Sequence, residues 1–200
     1  MRIGPKYKIA RRLGSPVFEK TQTQKYALRL ERKIPKRTFG ISAYGKALKE
    51  IQKVRFTYGI TAGQLARYAK EAIAKKGSEA PQNLYRRLEM RLDSAVLRAG
   101  FAPTRQAARQ AVSHGHVTVN GKKVRVPSAL VAKGDVVAAR EGSKSSGVFA
   151  AAEERSKSLT VAAWLKADVS ALAATVAAEP QFDKTASELD FDAVIQHFRK

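Results

Sequence analysis

Three groups of side chains in this chain have the types and spacing to do chemistry. His114 and His116 lie two residues apart, close in sequence to Arg109 and Lys122. A zinc site needs about four ligands, yet His197 is the only other histidine, no carboxylate is spaced to complete a cluster, and the chain has no cysteine. No serine sits in a nucleophile-elbow context. The pair therefore suits hydrogen bonds to phosphate or ribose, ahead of packing and well ahead of catalysis. The second group centres on Asp93, beside Arg91 and near Arg98. A lone carboxylate in a basic helix reads as a salt-bridge or capping partner that orients an arginine, not as half of an acid/base pair. The third is Arg105 and Arg109, four apart and hence on one helical face, with Lys122 and Lys123 beside Arg125. With no GxxxxGK[ST] or GxGxxG loop to cradle a nucleotide, these cations are placed for a charged backbone.

The elements that must position them lie between Arg91 and Val137. Leu92, Val96 and Leu97 make the apolar face of a first short helix that Gly100 closes. Thr104 caps a second, with Ala107, Ala108, Ala111 and Val112 inward and Gly115 at its end. Val117-Thr118-Val119-Asn120-Gly121-Lys122-Lys123-Val124 then spells two short strands around Asn-Gly, the strongest short-range hairpin signal. Pro127 breaks that pattern, and Gly134-Asp135 marks a turn before Val136-Val137. A module of this size has no apolar surface to spare for a deep pocket, but it has a face suited to phosphates. Charges at scattered, rigid positions fit the irregular phosphate spacing of folded RNA. A helix reading the DNA major groove would want Asn, Gln or Arg in series, and composition alone leaves that choice open.

Charge supports a polyanionic partner. The chain of 200 residues carries 38 Lys+Arg against 17 Asp+Glu, a formal net charge of +21. Such an excess repels itself in the free protein and is compensated by nucleic acid or an acidic surface. Residues 1–88 hold 22 of the basic residues and only 5 of the acidic ones, whereas residues 143–200 are close to neutral. No apolar run of about 18 residues exists to span a bilayer, and the N-terminus lacks the apolar core of a secretory signal. A soluble, intracellular protein with no membrane or small-molecule partner is expected.

Residues 1–40 are basic, rich in Gly and Pro, and hold no period for long; Arg11 and Arg12 belong to this arm, which is expected to order against RNA. Ser42 reads as the N-cap of a helix whose apolar stripe is Tyr44, Ala47, Leu48, Ile51, Val54 and Tyr58, with Lys46, Lys49 and Lys53 on a different face. Thr61 and Gln64 form a capping box for a helix burying Leu65, Tyr68, Ala69, Ala72 and Ile73 and ending at Gly77. Leu84, Leu88 and Leu92 recur every four residues in a third run. Tyr44, Tyr58 and Tyr68 are expected in the core. Residues 141–158 have linker composition, although AAAEER could be helical, and the closing LDFDAVIQHFRK is equally readable as a strand or a helix. The expected class is α+β, mostly α. Its parts are an arm over 1–40, a helical domain over 41–90, a two-helix and hairpin module over 91–150 and a C-terminal extension over 151–200.

RLDSAVLRAGFAPTRQAARQAVSHGHVTVNGKKV resembles the RNA-binding module named after small-subunit ribosomal protein S-four. GPKYKIARRLG, SAYGKALKEIQKVRFTYGI and QNLYRRLEMRLD resemble the rest of the bacterial or organellar ribosomal family, so the likeness runs from about residue 4 to 140. The resemblance implies a non-enzymatic protein that binds small-subunit rRNA early and nucleates assembly of the subunit body. It further implies a cytoplasmic place in the small subunit, beside proteins S-five and S-three and the path by which mRNA enters, with a bearing on accuracy. It also implies that residues 180–200 return to complete the helical domain. Matching positions make Arg91, Thr104, Arg105, Arg109, Ser113, His114, Gly115, His116, Asn120, Lys122 and Lys123 the implied RNA contacts. The basic residues Lys46, Lys49, Lys53, Arg11 and Arg12 are added to them.

Two departures stand out. Many family members carry a cysteine zinc knuckle in the arm, where this chain has Tyr7 and Ala10, so no cofactor is expected. The C-terminal Leu189-Asp190-Phe191-Asp192 replaces the family's usual Asn-Glu-containing motif. Because the same module occurs in RNA-modifying enzymes and a ribosome-rescue factor, those remain the alternatives; the chain lacks a catalytic constellation for the first. The Arg105 and Arg109 pair is expected to be exposed, so that removing it would weaken RNA binding with little loss of stability.

Overall fold

Short helices with strong punctuation make up the first part of the chain. The computed structural model describes residues 3–31, 40, 42–75, 79–149, 152, 161–185 and 187–199. Gly77 and nearly all of the AAAEER segment lie outside the described residues. The chain divides into two compact units, Met1–Leu84 with Asp183–Lys200, and Tyr85–Phe182.

In the first unit the arm is not irregular. Helix α1 (Lys6–Leu13) follows Pro5 and stops at Gly14, whose φ of 68° supplies the left-handed residue that closes a helix. A 3-10 turn at Glu19–Thr21 leads to α2 (Gln24–Glu31). Ala10, Leu13, Val17, Phe18 and Tyr26 close over one another, with Phe56 packed against them, and the Phe18 and Phe56 rings lie 5.8 Å apart. Eight-residue helices are marginal alone in water; tertiary packing holds these. That is why an eye searching for a sustained period passes over them.

Ser42 caps α3 (Ala43–Tyr58) by accepting from the Gly45 N–H at 3.1 Å. Only the later part of its apolar stripe is buried, at Ile51, Val54 and Tyr58. Tyr44 is 65% exposed, which corrects its expected place in the core, and Leu48 is exposed as well. The reciprocal Thr61 and Gln64 bonds that open α4 (Ala62–Ala74) are 3.2 and 3.1 Å. Leu65, Tyr68, Ala69 and Ala72 are buried there, while Ile73 is half-buried. The closing segment, undecided from periodicity, is a helix. Asp190 accepts from the Ala193 N–H at 2.9 Å, and α8 (Phe191–Arg199) buries Phe191, Val194 and Ile195 against α3 and α4.

Helix α5 (Ala80–Glu89) carries the chain into the second unit. There α6 (Leu92–Arg98) and α7 (Arg105–Ser113) pack on each other and precede β1 (Val117–Val119) and β2 (Lys122–Lys123). Asn120 and Gly121, at φ of 50° and 76°, make the tight turn, in the pattern of a type I′ hairpin. Strands of three and two residues are too short to stand as an isolated hairpin. Three more complete an antiparallel sheet: β3 (Val136–Ala139), β4 (Leu165–Asp168) and β5 (Ala173–Val176), in the order β2-β1-β3-β5-β4.

The presumed C-terminal extension is thus two things. Residues 165–176 finish the sheet of the second unit, and residues 191–199 form a helix of the first. Ala173 and Ala174 are poor strand formers; ladders on both sides, to β3 and to β4, hold them extended. Leu92, Val96, Phe101, Val112, Val117, Val137, Trp164 and Val176 fill the core between helices and sheet. The fold is α+β and mostly helical.

Candidate nucleic-acid interface

The interface begins with two carboxylates that the fold buries. Glu89, at the end of α5, is fully buried. Arg98 grips it with two bonds, Nε to Oε2 at 2.7 Å and Nη2 to Oε1 at 2.9 Å. Arg105 approaches the same carboxylate at 3.5 Å and donates to Ser94 Oγ at 2.8 Å. Asp93, in the first turn of α6, accepts from Arg91 through Nε at 3.0 Å and Nη2 at 2.6 Å. Arg109 donates to Asp93 Oδ2 at 3.1 and 2.8 Å. Residues 127–131 cover this site: Leu92 N–H bonds to Ala129 O, Asp93 N–H to Pro127 O, and Val131 N–H to Met90 O.

The consequence for the expected contacts is direct. Arg91 is 2% exposed and cannot reach a nucleic acid, so it belongs to the fold. Arg105 and Arg109 do share a face, but they are not a free exposed pair. Their side chains are 13% and 33% exposed and tied to buried carboxylates. A carboxylate buried without a cation is costly, and these arginines supply the compensation. The lone-carboxylate reading of Asp93 as an arginine-orienting partner holds, with two arginines instead of one.

Other expected contacts divide in the same way. Thr104 Oγ1 accepts from the Ala107 N–H at 3.1 Å as the N-cap of α7. Asn120 is used inside the hairpin: Nδ2 donates to Asp135 Oδ1 at 2.8 Å, and Oδ1 accepts from the Val136 N–H at 2.8 Å. It is therefore a staple of the turn, exposed at its surface. Ser113 and His114 are exposed at the end of α7, with the His114 and His116 rings 5.9 Å apart. His116 Nδ1 lies 3.0 Å from Ser143 Oγ, which also accepts from Arg140 Nε at 3.2 Å.

Lys122 and Lys123 are exposed on β2. Arg125 first, then desolvation and Arg140, hold the Lys123 ammonium below its usual lysine range. Arg98, Arg140 and Ser143 were not among the expected site residues. Arg98 depends on a partner 9 residues away and Ser143 on one 27 away, beyond any local spacing rule, while Arg140 is tied to Ser143 three residues on.

In the first unit, Arg11 and Arg12 are exposed on α1, and Arg12 donates to Gln52 at 2.9 Å. Lys46 is exposed and Lys49 half-buried on α3, while Lys53 is engaged with Glu50 at 2.7 Å. Tyr7 and Ala10 occupy the zinc-knuckle positions: Tyr7 packs its ring 5.7 Å from that of Tyr26, and Ala10 is buried. Among the described residues, no three His, Asp or Glu side chains are grouped to hold a metal, and no helix is long and apolar enough to cross a membrane.

The sequence of the second unit matches the family model "S4 domain" over residues 90–137. That of the preceding region matches "Ribosomal protein S4/S9 N-terminal domain" over residues 1–89. A relative from Pseudomonas aeruginosa (strain LESB58), named small ribosomal subunit protein uS4, is 36% identical over 203 residues, which cover 99% of this chain and 98% of the relative. The chain belongs to the uS4 family. Two more uS4 proteins agree: one from Heliobacterium modesticaldum is 36% identical over 210 residues, 98% of each chain. One from Lachnospira eligens is 45% identical over 140 residues, 70% of this chain and 71% of the relative. Membership of uS4 makes the chain an RNA-binding structural protein of the small ribosomal subunit and not an enzyme.

Proposed function

We propose that the chain binds small-subunit rRNA directly and early, and so nucleates folding of the subunit body. The observation that carries this reading is the exposed cationic corner where α7 meets the hairpin, with Ser113, His114, His116, Lys122 and Lys123 around it. The charge of residues 1–88, where 22 of the 38 basic residues lie, adds a second source of phosphate affinity through Arg11, Arg12, Lys46 and Lys49. Arg105 and Arg109 stiffen the corner from behind and offer what remains of their guanidinium edges.

On the same reading the protein stands beside S-five and S-three in the cytoplasmic small subunit, near the path by which mRNA enters, where it bears on accuracy. The arm works without zinc: apolar packing of Ala10, Leu13, Phe18 and Tyr26 takes the place of a metal cross-link. The test is equilibrium binding of the purified chain to small-subunit rRNA across salt. With about six phosphates neutralised, affinity should fall by roughly 10³ between 50 and 200 mM salt. Affinity that does not respond to salt would overturn the reading.

A further inference from the structure

We propose that Lys123, Arg125 and Arg140 form a clamp for a single phosphodiester of RNA over the backbone of Gly115. This deepens the rRNA-binding reading and rests on it.

The sheet order brings the three cations together. Lys123 pairs with Thr118 across β1 and β2, Val124 N–H bonds to Val117 O at 3.3 Å, and Arg140 N–H bonds to His116 O at 2.8 Å. The return strand of the hairpin and the segment after β3 therefore both flank the α7–β1 corner. Gly115 lies beneath them with φ of 75°, and a Cβ there would overlap Lys123 Cε and come within 3.2 Å of both Lys123 Nζ and Arg125 Nε. The left-handed backbone favours glycine at this point, and the bare Cα lets both side chains lie close over it. Arg140 is held by Ser143, which is buried and also meets His116. His116 is thus a positioning residue for the clamp.

Among the described residues no carboxylate pairs with Lys123, Arg125 or Arg140. Glu141 is engaged with Lys144 at 2.8 Å, and Asp135 with Asn120 and the Ala132 N–H. At the end of α7 the Gln110, Ala111 and Val112 carbonyls already accept from the His114, His116 and Gly115 N–H groups, so these three do not draw the cations in. The lowered affinity of Lys123 for its proton is what like charges produce when crowded without an anion. Two guanidinium forks and an ammonium match the oxygens of a phosphate.

The test compares wild type with the double variant K123Q/R125Q, and with K166Q on exposed β4 as a control, all binding small-subunit rRNA across a salt series. The double variant should melt as wild type does and bind about tenfold more weakly near 100 mM salt. Its slope of log affinity against log salt should be shallower by about 1, while K166Q matches wild type. Titration of Lys123 by NMR through its ε-carbon should show its proton affinity rising when rRNA is added. Unchanged affinity and slope in the double variant, with wild type binding normally, overturn the clamp and leave the rRNA reading standing. Failure of wild type to bind rRNA overturns the rRNA reading itself.

Discussion

Four arginines of the second unit and the three cations of its α7–β1 corner are chemically alike and stand in opposite settings. Arg91, Arg98, Arg105 and Arg109 converge on two buried carboxylates, Glu89 and Asp93. Lys123 and Arg125 converge on Gly115, Arg140 acts on Lys123 from nearby, and the three meet no carboxylate among the described residues. The first set is paired within the protein, two arginines to each carboxylate, and works as a cross-brace between α5, α6 and α7. The second is exposed at the surface, where an external anion can balance it. In a protein of net charge +21, counting basic residues does not separate the two; the placement of a few carboxylates does.

The largest effect should come from the brace. Arg91→Ala removes a side chain that is 2% exposed and doubly bonded to Asp93, and should cost about 3–5 kcal/mol in urea unfolding, the usual result of breaking a buried pair. A cost below about 1 kcal/mol would place Arg91 on the other side of the comparison. Arg105→Ala with Arg109→Ala should cost roughly 1.5–3 kcal/mol in all, since Arg98 and Arg91 still hold the two carboxylates. This reverses the expectation of little stability loss drawn from helical spacing alone, and an unchanged melting temperature would restore it.

Asn120→Ala should cost about 1–2 kcal/mol by removing the bond to Val136 and leaving Asp135 with one partner fewer. If it lowered RNA affinity without moving the melting temperature, Asn120 would be a contact after all. Smallest on stability is K123Q/R125Q. A lysine whose folded-state pKa is depressed binds its proton less well folded than unfolded, so its charge opposes folding below that pKa, and stability rises with pH through it. Removing the charge should leave the melting temperature at neutral pH unchanged or slightly higher. A clear fall would mean that the corner, too, is part of the brace.

Much of the candidate site was legible because it is local. The hairpin turn follows from Asn120-Gly121, which tolerate positive φ. The helix starts follow from Ser42, Thr61 and Thr104, whose side chains accept from backbone three residues on. The shared face of Arg105 and Arg109 follows from their spacing. What did not follow was the setting of those arginines, because Asp93 and Glu89 lie 16 residues from them. The helices of the arm are hidden from periodicity for a related reason: their apolar residues close over one another and over Phe56 of α3.

The cationic corner of the second unit therefore has two origins. Residue types and short spacings along the chain determined the caps, the turn, the excess of positive charge and the membership of the uS4 family. Only the tertiary structure decided which cations are balanced, since residues 127–131 fold back over Arg91 and Asp93 and bury them. The same folding leaves Lys123, Arg125 and Arg140 outside. The physical reason is that a charge is neutralised by whatever lies within a few ångströms of it in space, and sequence distance does not measure that.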